Sequence, residues 1–370
     1  MEKGNQISSF TRDAPPAYGF DDPYTTPQGS SWHPRNWGKK TWIGVVLGAV
    51  VLIVVIIVGA VVGVRNNAYP SYSRLNYTLE DDYSGSTFFD NFDYFTGFDP
   101  AHGFVHYVDQ PGSESLNLTF ASANSAILRV DTTDTNATTG RKSARISSKK
   151  QYNSGLFIFD VLNSPYGCST WPALWLYGDQ DTWPLQGEID VMEAVNLANT
   201  GNQMTLHTTE GCKMDRKRKQ TGKTLAKDCW NQTDSNEGCG VQGSTATFGQ
   251  EFNQNGGGVY ATELRSDGIR MWFFPRNAIP ADITAGTSPD PSTWGEALSD
   301  FPKTDCDISK HFTNQSIIAN IDLCGDFAGQ ASVFSKGCSG TCSDFVAFQA
   351  SSFQTAFWEF KSFKVYSAAT

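Results

Sequence analysis

The segment Gly187-Glu188-Ile189-Asp190-Val191-Met192-Glu193-Ala194-Val195-Asn196 places three carboxylates within six residues, with apolar residues between them. On a helix, where each residue turns by about 100°, the acids would point in different directions. On a strand, Glu188 and Asp190 share one face, while Ile189 and Val191 point into a core behind it. We therefore predict a β-strand over this segment.

Glu193 is one residue out of phase with the other two acids on such a strand. A β-bulge near Val191 and Met192, which adds one residue to the strand, would return Glu193 to the face of Glu188 and Asp190. Bulges are used beside active sites to re-aim side chains. The sequence thus predicts one surface that carries all three carboxylates.

Two carboxylates that flank one sugar linkage are the groups that glycoside hydrolysis needs. In the retaining mechanism they lie about 5–5.5 Å apart, one as nucleophile and one as acid/base. Because close carboxylates do not all ionise together, the cluster must hold at least one proton. We predict that Glu188 is the ionised nucleophile, that Asp190 orients it by sharing a proton, and that Glu193 is the protonated general acid. For the motif alone, a solvated acidic face and a calcium site are alternatives.

The same segment resembles the catalytic signature E-x-D-x-x-E of glycoside hydrolase family 16, in the form found in laminarinases and fungal, secreted or membrane-anchored endo-1,3(4)-β-glucanases. The similarity covers about residues 80 to 370 and includes four further segments: Gly167–Leu176, Leu206–Thr209, Gly256–Ala261 and Trp272–Arg276. The resemblance implies an all-β fold, a concanavalin-like β-jelly-roll sandwich of two antiparallel sheets with a substrate cleft. It also implies that Glu188 is the nucleophile, Asp190 the assisting acid and Glu193 the acid/base.

The composition favours a turn-rich, aromatic-lined β protein. Charged residues make up 18% of the chain, below the roughly 25% typical of globular proteins, whereas aromatic residues reach 13%. Short apolar runs such as 126–130 and 155–160 are separated by turn residues, which is typical of a sandwich and not of βαβ units. The net charge of −10 argues against a nucleic-acid partner and is compatible with a neutral polysaccharide.

Eight cysteines lie in the C-terminal part of the chain: Cys168, Cys212, Cys229, Cys239, Cys306, Cys324, Cys338 and Cys342. An even number in an apparently exported region predicts disulfides, whose pairing the sequence leaves open. Zinc is the alternative, but no pair has the C-x-x-C spacing and no His pair has finger spacing. We expect no cofactor and no metal site; the sequence holds no D-x-D-x-D-G calcium loop.

The N-terminal part divides into three segments ahead of the β-sandwich domain. Residues 1–41 are rich in Pro, Gly, Ser, Tyr and Asn, and we predict a disordered cytosolic tail. Residues 42–64 form an uncharged apolar run that would reach about 34 Å as a helix, enough to cross a membrane. Its length and late position favour an uncleaved signal-anchor over a cleaved signal peptide. We assign residues 65–83 to a polar stalk and residues 84–370 to the glycoside hydrolase domain.

Charges around the apolar run predict a single-pass type II membrane protein, with the catalytic domain extracellular or lumenal. Five basic residues precede the run, whereas only Arg65 and Arg74 follow it closely. All N-glycosylation sequons follow the run, at Asn76, Asn117, Asn136, Asn231 and Asn314. The sequons agree with export of the C-terminal part, and we expect N-glycans there.

Several side chains near the acid strand are candidate substrate contacts. Three tryptophans flank it in the sequence: Trp171, Trp175 and Trp183. An aromatic plane in a cleft can stack on the C–H face of a sugar, although tryptophans can equally fill a core. His207 lies on the next predicted strand, which the resemblance places beside the catalytic one. Asn196 and Gln203 are further candidates for binding sugar hydroxyls.

We predict a retaining endo-β-glucanase that hydrolyses β-1,3 or mixed β-1,3/1,4 glucan through a covalent glycosyl-enzyme intermediate. Two alternatives stay open: a cell-wall transglycosylase on β-glucan or chitin, in which a sugar hydroxyl replaces water, and a non-catalytic glucan-binding or wall-assembly protein. Glu188 and Glu193 together favour the enzyme, because a binding module does not need both.

Overall fold

The computed structural model describes residues 34–368 and divides the chain into an N-terminal unit that ends at Val64 and a β-sandwich unit that begins at Arg65. The N-terminal unit contains a 3₁₀ turn, Pro34–Asn36, and most of helix α1, Lys39–Asn67. Lys39–Val64 has a mean hydropathy of 3.4 and none of it is buried. By length and composition, this helix is able to cross a membrane.

The predicted disordered tail differs from the structure at its C-terminal end. Residues 1–33 lie outside the described part of the chain, and residues 39–41 belong to α1. The helix begins before the apolar run because its first turn needs residues ahead of that run to close its hydrogen bonds. The first three residues of α1 thus belong to the segment predicted as a tail, and the disordered cytosolic tail itself stays a prediction.

The β-sandwich unit consists of short strands joined by turns and brief helices. Its strands are β1 Tyr77–Ser84, β2 Phe92–Tyr94, β3 Val105–Tyr107, β4 Thr119–Ala121, β5 Ala126–Arg129, β6 Arg141–Ser143, β7 Arg145–Ser148, β8 Gly155–Asn163, β9 Thr170–Tyr177, β10 Glu188–Glu193, β11 Gln203–His207, β12 Lys223–Thr224, β13 Cys239–Gln242, β14 Gly258–Arg265, β15 Gly268–Pro275, β16 Ser299–Pro302, β17 Ser316–Leu323 and β18 Phe357–Ala368. The connecting helices are α2 Gln110–Ser115, α3 Gly249–Gln254, α4 Ala281–Ala285, α5 Ile308–His311, α6 Gly325–Ala328, α7 Ala331–Phe334 and α8 Cys342–Phe348. Further 3₁₀ turns are Gly85–Asn91, Thr245–Thr247, Arg276–Ala278, Pro291–Thr293 and Ala350–Thr355.

Two eight-stranded sheets form the sandwich. The support sheet has the order β16-β15-β14-β8-β18-β5-β4, with β1 also paired to β18. The cleft sheet has the order β12-β13-β11-β10-β9-β17-β7-β2. Neighbouring strands in both sheets are antiparallel, and a small parallel pair, β3-β6, lies outside them. This architecture confirms the predicted jelly-roll sandwich.

Side chains that alternate along the strands fill the core between the sheets. Phe157 and Phe159 of β8 meet Leu174 and Leu176 of β9 and Ile189 of β10 in one cluster, all of them fully buried. Each such side chain contributes about 1.5–3 kcal/mol through burial. Because strand side chains alternate, the odd-numbered residues of β9 point to the opposite face of the cleft sheet.

The outer face of the support sheet carries a second, smaller apolar cluster. It includes Ile158 of β8, Trp272 of β15 and Tyr77 of β1, with Leu75 packed against it. Tyr77 pairs with Ala368 at the start of the β1–β18 ladder. The last residues of the predicted stalk thus belong to β1, whose Tyr77 and Tyr83 are buried.

Four disulfides cross-link the unit: Cys168–Cys338, Cys212–Cys306, Cys229–Cys239 and Cys324–Cys342. No cysteine among the eight is free. The predicted use of cysteines in disulfides is confirmed, and the structure gives the pairing that the sequence left open. Such bonds stabilise a fold mainly by limiting the unfolded chain.

Candidate active site

Strand β10 presents the three acids through the predicted bulge. Its pairing with β9 and β11 shifts register after Asp190. Val191 and Met192, two consecutive residues, are both fully buried. The extra residue therefore lies toward the core, and Glu193 returns to the face that carries Glu188 and Asp190.

The side chain of Asn202 holds this bulge in place. Its Oδ1 accepts a hydrogen bond from Glu193 N at 2.8 Å, and its Nδ2 donates to the carbonyl oxygen of Val191 at 2.8 Å. Asn202 is fully buried, so these bonds satisfy backbone groups that the bulge removes from the ladder. No local sequence pattern marks this residue, because Gly201-Asn202 is an ordinary turn pair.

Gly187 sets the point at which β10 begins. Its φ of 74° lies in the left-handed region that favours glycine. A Cβ atom there would lie 2.3 Å from the carbonyl oxygen of His311 and 2.4 Å from the ring of Phe312. Glycine therefore allows the close approach that places Glu188 at the edge of the cleft.

The acids open into a cleft of about 860 Å³, within the range of ligand sites in proteins. All but one of the predicted substrate contacts line it: Trp171, Trp175, Trp183, Gln203 and His207. The phase of β9, which the sequence left open, turns Trp171 and Trp175 toward the cleft. The cleft also contains residues that sequence reasoning missed, among them Arg145, Asn236 and Asn320.

Asn196 does not face the cleft. Its Oδ1 accepts from Ser169 N at 2.8 Å, and its Nδ2 donates to the carbonyl oxygen of Ala328 at 3.1 Å. The residue is buried and has a φ of 54°, a conformation that Asn adopts more readily than most residues. We correct the prediction: Asn196 ties the end of β10 to neighbouring segments and does not line the cleft.

Two indoles hold the outer acids of the cluster. Trp183 Nε1 donates to Glu188 Oε2 at 2.6 Å, and Trp171 Nε1 donates to Glu193 Oε1 at 2.7 Å. A charge-assisted hydrogen bond of this kind fixes the orientation of a carboxylate and favours its ionised form. These tryptophans thus orient the acids in addition to offering ring surface to the cleft.

Asp190 lies between the two glutamates, 3% exposed, and its Oδ2 has no hydrogen-bond donor in the described structure. His207 Nε2 lies 3.5 Å from this oxygen. His207 Nδ1 lies 3.0 Å from Asn236 Oδ1, so we assign the proton to Nδ1, which leaves Nε2 as an acceptor. A proton on Asp190 Oδ2 would therefore face a basic nitrogen.

Burial raises the pKa of all three acids. It raises the pKa of Glu188 to about 7, against an indole hydrogen bond and the charge of Arg145, which both lower it. Burial and the neighbouring glutamates raise the pKa of Asp190 well above its ordinary value. Burial also raises the pKa of Glu193 and lowers the pKa of His207. The cluster therefore retains protons near neutral pH, and His207 is neutral there.

Arg145 supplies positive charge beside the acids. Its guanidinium lies 4.7 Å from the ring centroid of Phe95 and 5.1 Å from that of Trp175, and the residue is 4% exposed. A buried guanidinium that stacks on aromatic rings is held rigidly. Its positive charge lowers the pKa of Glu188 and so helps to ionise that acid.

Glu188, Asp190 and His207 are also the one set of described side chains whose ligand atoms cluster closely enough for a metal ion, within 4.8 Å of one another. Binding a cation there would require Asp190 to release its proton. Burial favours the protonated form of Asp190, whereas a carboxylate must be deprotonated to bind a metal ion.

Comparisons with known proteins agree with this geometry. Residues 92–366 match a family described as XgeA-like, catalytic GH16 domain. A probable glycosidase of Schizosaccharomyces pombe is 47% identical over 302 residues, which cover 80% of this chain and 71% of that protein. An endo-1,3(4)-β-glucanase of Arthroderma benhamiae is 38% identical over 304 residues, which cover 80% of this chain and 65% of that protein.

A solved structure is similar to most of this chain. Laminarinase 16A from Phanerochaete chrysosporium, with β-glucans in both its donor and acceptor sites, is 44% identical and has a TM-score of 0.77. The match covers 79% of this chain and all of that chain. Sequence, sheet topology and the bulged acid strand thus lead to one assignment: the chain belongs to glycoside hydrolase family 16.

Proposed function

We propose that the protein is a retaining endo-β-glucanase that hydrolyses β-1,3 or mixed β-1,3/1,4 glucan. The observation that carries the proposal is the cluster of three carboxylates on one face of β10, with Asp190 and Glu193 buried, that opens to an aromatic-lined cleft. The endo-1,3(4)-β-glucanase and the laminarinase to which the chain is similar support the substrate class.

In the first step, Glu188 attacks the anomeric carbon of the sugar and forms an ester with it as the glycosidic bond breaks. Arg145 and the indole of Trp183 favour the ionised carboxylate that this attack needs. Glu193, whose pKa burial raises, gives its proton to the departing oxygen. The products of this step are a free sugar hydroxyl and a glycosyl-enzyme.

In the second step, water resolves the glycosyl-enzyme. Glu193, now a carboxylate, takes a proton from water while the water oxygen attacks the anomeric carbon and releases Glu188. Asp190 shares its proton with the neighbouring acids, which limits the negative charge in the buried cluster. Trp183, 36% exposed, offers ring surface to a sugar next to the reacting carbon.

We further propose that α1 is an uncleaved signal-anchor and that the catalytic unit lies outside the cytosol. The apolar, unburied Lys39–Val64 stretch and the disulfides support this arrangement. Four of the five sequon asparagines are exposed, as N-glycan attachment requires: Asn76, Asn117, Asn136 and Asn314. A mass loss on glycosidase treatment of the natural protein would test the orientation.

The activity is tested by incubating the full chain, in detergent solution, with laminarin, lichenan and chitin. Shorter oligosaccharides from laminarin or lichenan, absent with E188Q, are expected. Products longer than the starting chains would instead identify a transglycosylase. Binding to the glucans without cleavage would identify a glucan-binding protein and overturn the proposal.

A further inference from the structure

One wall of the cleft is made of two chain segments, residues 99–104 and residues 322–326, which we call the latch segments. Both contribute side chains to the cleft lining. Two backbone hydrogen bonds join them: Phe104 N to the oxygen of Leu323 at 2.7 Å and Asp326 N to the oxygen of Ala101 at 2.9 Å. The second segment is also fixed by the disulfide of Cys324.

A pair of buried carboxyl groups lies where these segments meet. Asp99 Oδ2 accepts from Ala101 N at 2.9 Å and from Gly103 N at 3.0 Å. Asp322 is 3% exposed; its Oδ1 accepts from Leu323 N at 2.6 Å, whereas its Oδ2 is buried and has no donor among residues 34–368. A Cβ on Gly103 would lie 1.8 Å from Asp322 Oδ1, so this carboxyl group packs directly on the backbone of the first segment.

The positive charge beside Asp99 and Asp322 is too small to offset the negative charge of two carboxylates. Arg145 NH1 lies 3.9 Å from Asp99 Oδ1 and is the buried cation that acts on Asp322. The hydroxyl of Tyr107, also buried, is neutral because burial raises its pKa. At the exposed rim, His102 and Asp326 pair with each other at 2.8 Å. One guanidinium thus faces two buried carboxyl groups.

We infer that Asp322 carries a proton on Oδ2 and donates it to the carboxylate of Asp99, so that a carboxyl–carboxylate hydrogen bond latches the two segments together. This bond gives the orphaned oxygen a partner and leaves one negative charge for Arg145. Burial, followed by the charge of Asp99, raises the pKa of Asp322 well above its ordinary value, in agreement with a retained proton.

The latch positions the candidate acid/base. A Cβ on Gly325, within the second latch segment, would lie 3.0 Å from the ring of Trp171, and Phe327 just beyond packs edge-on against that ring at 5.7 Å. Trp171 in turn donates to Glu193. Asp322 is therefore a positioning residue, and this last step alone rests on the proposed function.

Protonation of Asp322 gives the latch a definite pH dependence. An acid whose pKa is raised by folding contributes stability that is fully present below its unfolded value, near 3.9, and is lost as the pH rises toward the folded value. Above that value two carboxylates would face one guanidinium, and the latch segments would separate more easily.

The test compares thermal unfolding of the native full chain and D322N, in detergent solution, from about pH 4 to about pH 8. The side-chain amide of D322N can still donate a hydrogen bond to Asp99, and it does not titrate in this pH range. The Tm of D322N is expected to approach or match that of the native protein near pH 4 and to exceed it by several degrees at the upper end. D93N, a matched change at an exposed aspartate of β2 that lies in no ion pair of the described structure, should show no such trend.

Opposite results would overturn the latch. If Asp322 were ionised and paired with Arg145, D322N would lose stability relative to the native protein as the pH rises. A decrease in the Tm of D322N that is the same at every pH would also contradict a proton shared between Asp322 and Asp99.

A measurement on the native protein remains available if D322N does not fold. We expect amide hydrogen exchange in residues 101–104 to accelerate with pH more than exchange in the core strand β8, after correction for the intrinsic pH dependence. The same pH dependence of exchange in both segments would overturn the latch. Because neither measurement involves glucan, their failure would leave the proposed hydrolysis standing.

Discussion

Two buried glutamates in opposite sheets have contrasting surroundings. Glu263, on β14 of the support sheet, is 1% exposed; its Oε1 accepts from the hydroxyl of Tyr77 at 2.9 Å and its Oε2 from Arg270 Nε at 2.9 Å. Arg265 NH1 lies 3.6 Å from the same carboxylate. Glu193, on β10 of the cleft sheet, is 8% exposed and has one indole donor and two acidic neighbours.

This contrast shows that neighbours, and not burial alone, decide what a buried acid does. Removing a carboxylate from water costs several kcal/mol unless opposite charge and hydrogen bonds offset the cost. Two guanidinium groups offset it for Glu263, which therefore joins strands. In the part of the chain that the structure describes, no guanidinium pairs with Asp190 or Glu193, so the cost appears as raised pKa values of these two acids. Groups of that kind can give and take protons in catalysis.

The largest effect is expected for E188Q, which removes the candidate nucleophile. Because an amide cannot form the glycosyl ester, kcat on laminarin should fall by a factor of about 10⁴ or more. Initial rates of reducing-sugar release measure this loss, with circular dichroism as a check that the sandwich still forms. Activity within tenfold of the native protein would remove Glu188 from the mechanism.

A loss of about 10²–10⁴ in kcat is expected for E193Q on laminarin, because proton transfer to the leaving oxygen is removed. The loss should shrink on an aryl β-glucoside of a short 1,3-linked glucan, whose phenolate leaves without protonation. Comparing the two substrates separates an acid catalyst from a residue that only shapes the cleft. Equal losses on both would contradict the assigned role.

For the support sheet, E263Q should lower the free energy of unfolding by about 3–5 kcal/mol, since it removes the carboxylate that pairs with Arg270 in a poorly hydrated site. Denaturant unfolding measures the change. The pH profile of glucan hydrolysis should stay in place in the folded fraction. A shift of that profile would mean that the charges around Glu263 act on the acids of β10, which would contradict their independence.

The smallest effect is expected for D190N, whose change in stability is informative mainly through its sign. The native acid has a raised pKa, so its contribution to stability is present at low pH and is lost as the pH rises. D190N should therefore be more stable than the native protein at neutral pH while hydrolysis falls. Denaturant unfolding of both proteins from pH 4 to neutral pH measures the difference in their stability. If D190N became less stable relative to the native protein as the pH rises, the prediction would be disproved.

Local patterns predicted the acid strand well. Alternation at Glu188 and Asp190, followed by a one-residue slip to Glu193, is enough to indicate a bulge, because strand geometry leaves few other ways to align the three. Short apolar runs and the family resemblance indicated the sandwich. The phase of Trp175 remained open because a residue in an apolar run has no alternation to fix it.

The residues that sequence reasoning missed are those brought to the site by distant pairing. Arg145 reaches the cleft through β7, and Asn236 through the loop closed by Cys229–Cys239, and neither carries a local signal. Asn196 failed as a substrate contact because its side chain is used by backbone groups far along the chain. Such contacts depend on strand order, which a single sequence does not specify.

The most direct test of the account is the configuration of the first sugar released from laminarin by the native protein, followed by proton NMR before mutarotation. Closely spaced acids acting as nucleophile and acid/base predict that the β-anomer of the new reducing end appears first. Initial appearance of the α-anomer would contradict it, because inversion requires carboxylates far enough apart to admit water between them and the sugar.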